Sequence, residues 1–535
     1  MHPYAAEEFT DAESSILRRY FTNLEGPVFA LVNLPEVVKG ALFARYSRSS
    51  KSLRRLFLDE FVGDLDLSGD TELDATIGLG RADELYQRIF YEYGDDSVAQ
   101  LGGVHLACEQ SSNLLTKVLE RGRLMSYLEQ STRYLGYDKR LASGHYRFYR
   151  DHDLLESRFG ARYIGEMDRM FDTYAALLPR LTEFITVKYP KTPDDTDFVY
   201  RQATRAKALD AVRGLLPASA LSNLGIYASG QAYEGLLLRM RAHPLPEVRT
   251  YAEMMFDELN KVIPSFLKRV NVPERGGVWT EYLSSTRSAT QTLMRELWQD
   301  DDVAPGESVR LVDFDPDGET RVLEAIVFAN GTGSHHEAAR RVAMLSTDDR
   351  QRLLDAYVGE RRNRRHRPGR ALERTDYRFE LVTDYGAFRD LQRHRLLTIE
   401  WQPLTVDLGF DVPELIYEAG LAGEFESSLE RSAEFYYDLR EDFPDQAQYA
   451  VALAFRIRYV MQMNAREAMH LIELRSGPQG HPNYRRVAHE MARLIDTQAG
   501  HHALAAAMRF VDFSDTDLER LAAERAAERA RTLRL

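Results

Sequence analysis

Cysteine is almost absent: Cys108 is the single one in 535 residues. An intramolecular disulfide is therefore excluded, and a reducing, cytoplasmic setting is the expectation. No apolar run approaches the roughly 20 residues that span a bilayer. The stretch Met1 to Glu8 lacks the basic and apolar blocks of a signal peptide, so no membrane partner is expected. Basic excess is missing too. Lys and Arg number 69 against 83 Asp and Glu, a net charge of −14, which argues against a general nucleic-acid surface. A local basic pocket stays compatible with that balance. There is no Gly-x-x-x-x-Gly-Lys phosphate loop, no zinc-ligand spacing and no nucleophile elbow. No metal is expected, and Cys108, set in Leu-Ala-Cys-Glu, reads as core packing.

What is present is a chain long enough for two or more domains. Its 44% hydrophobic and 28% charged residues are ordinary for a globular protein. Helical patterning is read over Asp11 to Tyr20, from Leu34-Pro35, and over 83–93, 163–188, 200–215, 221–242 and 247–268. Residues 97–120 read as a mixed apolar stretch. Val28 to Val32 reads as a strand. Gly276-Gly277 and the acidic stretch 299–306 mark a linker. Beyond it, Val309 to Phe314 and Thr320 to Phe328 read as a β-hairpin around Asp315-Pro316-Asp317-Gly318, and Tyr377 to Thr383 as a strand. Helical periodicity returns over 412–440, 446–474 and 483–498. The tail from Asp515 is a helix laced with opposite charges. Two domains, 1–290 and 300–535, are the expectation.

Two segments share one pattern. Arg121-Gly122-Arg123-Leu124 and Arg393-His394-Arg395-Leu396 both open with Arg-x-Arg-Leu and reach a hydroxyl, Ser126 or Thr398, five positions after the first arginine. They lie 272 residues apart. The first continues through Glu129, Gln130, Ser131 and Arg133 to Tyr134. The second continues through Trp401, Pro403 and Thr405. Arginine forks and hydroxyls are what a phosphate-bearing ligand requires, because charge-assisted hydrogen bonds are strong and arginine is planar and bidentate. A second pair follows: Asn464-Ala465-Arg466 through His470 to Leu474-Arg475, with a counterpart near Gly230 to Arg241.

The first segment resembles the signature of the flavin-dependent thymidylate synthase family, Arg-His-Arg-x-x-Ser-x-x-Glu-x-Ser-x-Arg-Tyr, at seven positions, and departs from it at Gly122. The second keeps the Arg-His-Arg and loses the rest. The Asn-x-Arg and Leu-Arg helix is similar to the family's second motif. The resemblance spans about 25–275 and 305–500. It implies an α+β fold: two fused, partly degenerate copies, each with a small mixed sheet and long helices.

By this resemblance, Ser126, Glu129, Gln130, Ser131 and Arg133, with Arg213 of Arg-x-x-x-Pro217, bind the dUMP substrate. Arg393, His394, Arg395, Asn464, Arg466, His470 and His366, with Arg121 and Arg123, contact FAD. Arg475, and Arg241 in the first copy, act on the uracil. NADPH and methylenetetrahydrofolate enter as co-substrates. The implied reaction is reductive methylation of dUMP to dTMP, and the implied assembly is a homodimer of the tandem chain. The broken signatures also admit a non-catalytic relative, or one of altered specificity. Because each copy keeps what the other has lost, a working site is expected to combine them.

Overall fold

The computed structural model describes residues 4–34, 42, 46, 49–60, 62, 103–298, 306–514 and 517–532. The helices read from Leu34-Pro35 and over 83–93, the start of the 97–120 stretch and most of the linker 299–306 lie outside them.

Two four-stranded antiparallel sheets carry the same order. In the first, β1 (Val28–Leu31), β2 (Gly103–Ser112), β3 (Met125–Glu129) and β4 (Leu221–Ser229) lie β1-β2-β4-β3. In the second, β5 (Val309–Phe314), β6 (Asp376–Asp384), β7 (Thr398–Trp401) and β8 (Arg456–Asn464) lie β5-β6-β8-β7. The registers coincide: Ser126 pairs with Tyr227 as Thr398 pairs with Gln462. Ser126 and Thr398 are thus equivalent, as are the Arg121 and Arg393 segments that lead into them. One difference is a bulge in β2 beside Gln110, whose φ of 57° is left-handed. An extra residue there shifts pairing on one side only. The chain is a tandem duplication.

The compact units do not follow the chain. One comprises 1–176, 215–302 and 424–452; the other comprises 177–214, 303–423 and 453–535. Each includes helical segments numbered in the opposite half. The helix Asp197–Val212 belongs with the second sheet's unit, and most of Ala422–Leu439 with the first.

Three assignments change. Residues 221–242 are β4 and then the helix Gly230–Arg241, not one helix. Residues 446–474 begin with a short 3-10 turn, Gln446–Ala450, then form β8 and enter the helix Ala465–Arg475. Along β8 burial alternates strictly, the period of a strand with one face packed. The supposed hairpin arm 320–328 lies in a helix, Gly318–Asn330, whose buried Val322, Leu323 and Ile326 have helical spacing. The mixed stretch 97–120 resolves, over its described residues, into β2 followed by the helix Asn113–Leu119. Cys108 is wholly buried in β2, where burial pushes its thiol pKa up.

Candidate functional site

In the second unit the chain leaves β8 at Asn464, whose side chain caps the next helix by accepting the Glu467 amide at 3.0 Å. The spacing Asn-x-x-Glu is that of a capping box, in which the glutamate would fold back onto the cap. Here the Glu467 carboxylate faces His394 instead, with 3.0 Å between Oε1 and Nδ1, and both residues are buried. His394 sits in the turn after the helix Tyr385–Leu391, held by its own amide to the Leu391 carbonyl at 3.2 Å. From the far end of the Glu467 helix, Arg475 Nε donates to His394 Nε2 at 3.0 Å, and Nη2 donates to the Asp390 carbonyl. The Arg475 guanidinium lies 5.4 Å from the centre of the Tyr484 ring.

The protonation pattern follows from these contacts. Arginine only donates, so His394 Nε2 must accept, and the ring proton sits on Nδ1 and donates to Glu467. Burial, and then Arg475, His470 and Arg367, hold the His394 pKa well below its usual value. Burial raises Glu467 to about 7, against the pull of Arg367, Arg466 and Arg395. His470, its ring 5.5 Å from His394 and in contact with Arg367 at 3.2 Å, is lowered to about 4, chiefly by burial and then by Arg367. Burial also lowers Arg475.

His394, Glu467 and His470 present ligand atoms within 4.8 Å of one another. The donors are already engaged, and Arg367, Arg395, Arg466 and Arg475 surround them, so a cation is disfavoured and an anion favoured. Arg393 lies 3.9 Å from Asp390. Arg466 donates to the Pro368 carbonyl at 2.9 Å and pairs with Glu373 at 3.0 Å, which fastens the basic loop to the helix. His366 is exposed and contacts Asn363 at 3.2 Å; its neighbour Arg367 is the residue that reaches His470.

Arg213 also belongs to this unit. It is 4% exposed, pairs with Asp390 at 3.4 Å, and leaves Nη2 without a hydrogen-bond partner. Asp384 lies close enough for Arg213 to offset part of the burial that raises its carboxyl pKa. Asp384 caps the helix Tyr385–Leu391 and accepts from Asn483 at 2.6 Å.

The first unit holds Ser126, Glu129, Gln130, Ser131 and Arg133. Glu129 is buried against Lys117 at 3.3 Å. Gln130 donates to the Ser49 carbonyl at 2.7 Å and accepts from Arg147 at 3.0 Å. Ser131 Oγ accepts the Arg133 amide at 3.3 Å, and Arg133 is buried. Ser126, Arg121 and Arg123 are exposed. The helix caps Ser229 and Asn464 are equivalent, an offset of 235 residues. Arg475 therefore corresponds to buried Met240, one residue before Arg241. Arg241 itself pairs with Glu253 at 2.8 Å and bonds the Val270 carbonyl at 3.0 Å. By the same registers Gly122, Ala232 and Gly235 stand where His394, Glu467 and His470 do. A Cβ on Gly122 would come within 2.5 Å of Met125 Sδ and 2.7 Å of Tyr127 Oη, so the first unit has packed over that position.

Glu467 and Asp390 carry no role in the sequence reading, and Arg367 stands there only within a basic cluster beside His366. The only signal for Glu467 was its capping-box spacing, which points to a different role.

The chain is thus a tandem duplication of one α+β unit, with an arginine-rich, histidine-centred site in the second unit. The thymidylate synthase complementing protein family matches the chain over residues 41–265 and 310–499, and the chain belongs to that family, the flavin-dependent thymidylate synthases. It is 38% identical to a UPF0159 protein of Chlamydia muridarum over 523 residues, covering 97% of this chain and 98% of that one. It is 34% identical to a UPF0159 protein of Thermoplasma acidophilum over 513 residues, 91% and 97% of the two chains. Among the described residues no helix is long and apolar enough to cross a membrane.

Proposed function

We propose that the chain is a flavin-dependent thymidylate synthase whose second unit carries the flavin-facing and uracil-facing groups. The observation that carries this reading is the anchored Arg475, fixed by His394 and the Asp390 carbonyl inside a ring of arginines. The donor set suits FAD: Arg393, Arg395, Arg466 and Arg367 offer cationic donors to a pyrophosphate, and His394 and His470 are kept neutral. When bound, FAD supplies the hydride chemistry, with NADPH as reductant and methylenetetrahydrofolate as carbon source.

The protein's own residues bind and polarise. Ser131 and Arg133 of the first unit grip the dUMP phosphate. Arg475 favours the ionised uracil ring, which makes its C5 carbon more nucleophilic. In this reading the chain works in the cytoplasm as a homodimer. An altered specificity on the same scaffold is the second reading. It is favoured by Glu129 and Gln130, which spend their polar atoms inside the first unit.

The deciding experiment has three parts: the visible spectrum of the purified protein, dUMP affinity by calorimetry, and dTMP formation with methylenetetrahydrofolate and NADPH. Bound flavin with dTMP formation supports the synthase. Flavin without dUMP binding supports altered specificity. Neither flavin nor dUMP binding ends both readings.

A further inference from the structure

We propose that Glu467 is a positioning residue: acting through His394, it sets the direction of the Arg475 guanidinium. This deepens the proposed function and rests on it for the role of Arg475. Three contacts form one line, Glu467 Oε1 to His394 Nδ1 at 3.0 Å, His394 Nε2 to Arg475 Nε at 3.0 Å, and Arg475 Nη2 to the Asp390 carbonyl.

An imidazole in this position has two neutral tautomers. With an acceptor at Nδ1, the proton stays there and Nε2 presents a lone pair to the arginine. Without that acceptor the buried Nδ1–H is left unpaired, and only the Arg475 contact opposes movement of the proton to Nε2. On Nε2 it would meet the Arg475 N–H donor to donor, and the guanidinium would swing away. A carboxylate is an acceptor that cannot reverse its role when ionised, which suits the task.

The location of Glu467 supports this. As the third residue of a helix capped by Asn464, its side chain has a local partner within reach, yet it is turned to a buried histidine. The duplication supplies an internal control. The first unit has lost all three members together, with Gly122, Ala232 and Met240 at the places of His394, Glu467 and Arg475. A glutamate kept only for helix stability would have no reason to vanish with the other two.

The test uses the full chain and five variants: Glu467→Leu, Glu467→Gln, Arg475→Ala, Glu467→Leu with Arg475→Ala, and His394→Gln. Selective nitrogen-15 histidine labelling reads the tautomer, and His394→Gln assigns its signals. The proposal expects an Nδ1–H tautomer in the wild type and in Glu467→Gln, and loss of that tautomer in Glu467→Leu. It expects Glu467→Leu to lower kcat by about tenfold to hundredfold, the cost of misplacing a catalytic group, with flavin content retained. Glu467→Gln should restore most of the rate, because its amide oxygen still accepts. In the Arg475→Ala background, Glu467→Leu should add nothing. An unchanged tautomer in Glu467→Leu, or effects of Glu467→Leu and Arg475→Ala that multiply, would overturn the relay. The tautomer does not depend on turnover. If the tautomer changes between wild type and Glu467→Leu while the wild type makes no dTMP, the synthase reading falls and the relay stays in place.

Discussion

Arg213 is numbered in the first half of the chain, yet its guanidinium pairs at 3.4 Å with Asp390 of the second half, inside the second unit. Asp390 in turn lends its backbone carbonyl to Arg475. One aspartate thus ties a side chain from the helix end at 213 to the site's anchored arginine. Gln448 stands at the place equivalent to Arg213, 235 residues further on, and brings no cation there.

Arg213→Ala should cost about 3–5 kcal/mol in the unfolding of the second unit, the usual penalty for breaking a buried ion pair. Asp390 and Asp384 would both lose a cation. Thermal melts of the wild type and variant give the shift. A loss below about 1 kcal/mol would mean that the pair is solvated.

Flavin retention should depend on the second unit. Arg393→Ala combined with Arg466→Ala should strip bound FAD, because Arg393 flanks Asp390 and Arg466 fastens the loop bearing Arg367. Arg123→Ala, at an exposed position in the first unit, should leave most of it. The flavin absorbance per protein after gel filtration checks this. Equal losses would refute it.

Arg133→Ala should weaken dUMP binding by about tenfold to hundredfold, the worth of a partly buried arginine–phosphate contact of roughly 1.5–3 kcal/mol. Flavin content should stay nearly constant. Calorimetry decides the point, and unchanged affinity would remove Arg133 from the phosphate site.

Glu247 gives the first unit a pH-dependent stability. It is fully buried and accepts from the Ser112 amide at 2.8 Å, the Ser112 hydroxyl at 2.6 Å and the Tyr449 hydroxyl at 2.8 Å. Burial outweighs those donors and raises its pKa from 4.5 to about 7. The folded state therefore binds the proton more tightly than the unfolded state. The contribution is fully present below pH 4.5 and is lost as pH rises to 7, by about 3 kcal/mol over the window. Glu247→Gln should flatten that part of the stability profile in denaturant titrations at several pH values. An unchanged slope would show that Glu247 is ionised throughout.

Much was legible in the sequence because it is written locally. Arg-x-Arg-Leu with a hydroxyl at fixed spacing marks the same turn and strand twice, and the equivalent registers of Ser126 and Thr398 bear out that pairing. The buried Cys108 was readable from its apolar neighbours. The helix boundaries at 221 and 446 were not. An apolar run that enters a helix has no mark where the strand ends, and only pairing with β2 or β6 decides it. Glu467 was read past for a related reason, since its spacing describes its own helix and not the histidine brought beside it from 73 residues away.

The sequence alone determined that the chain is duplicated, which copy kept each motif, and that no intramolecular disulfide could form. Those properties depend on residue identity and spacing. Tertiary structure decided which groups meet: Arg213 with Asp390, Glu467 with His394, and His394 with Arg475. It also decided that Met240 and not Arg241 stands at the place of Arg475, since the helix cap fixes the register. Contacts between segments distant in the chain arise from packing faces against one another, and no local pattern specifies which face will meet which.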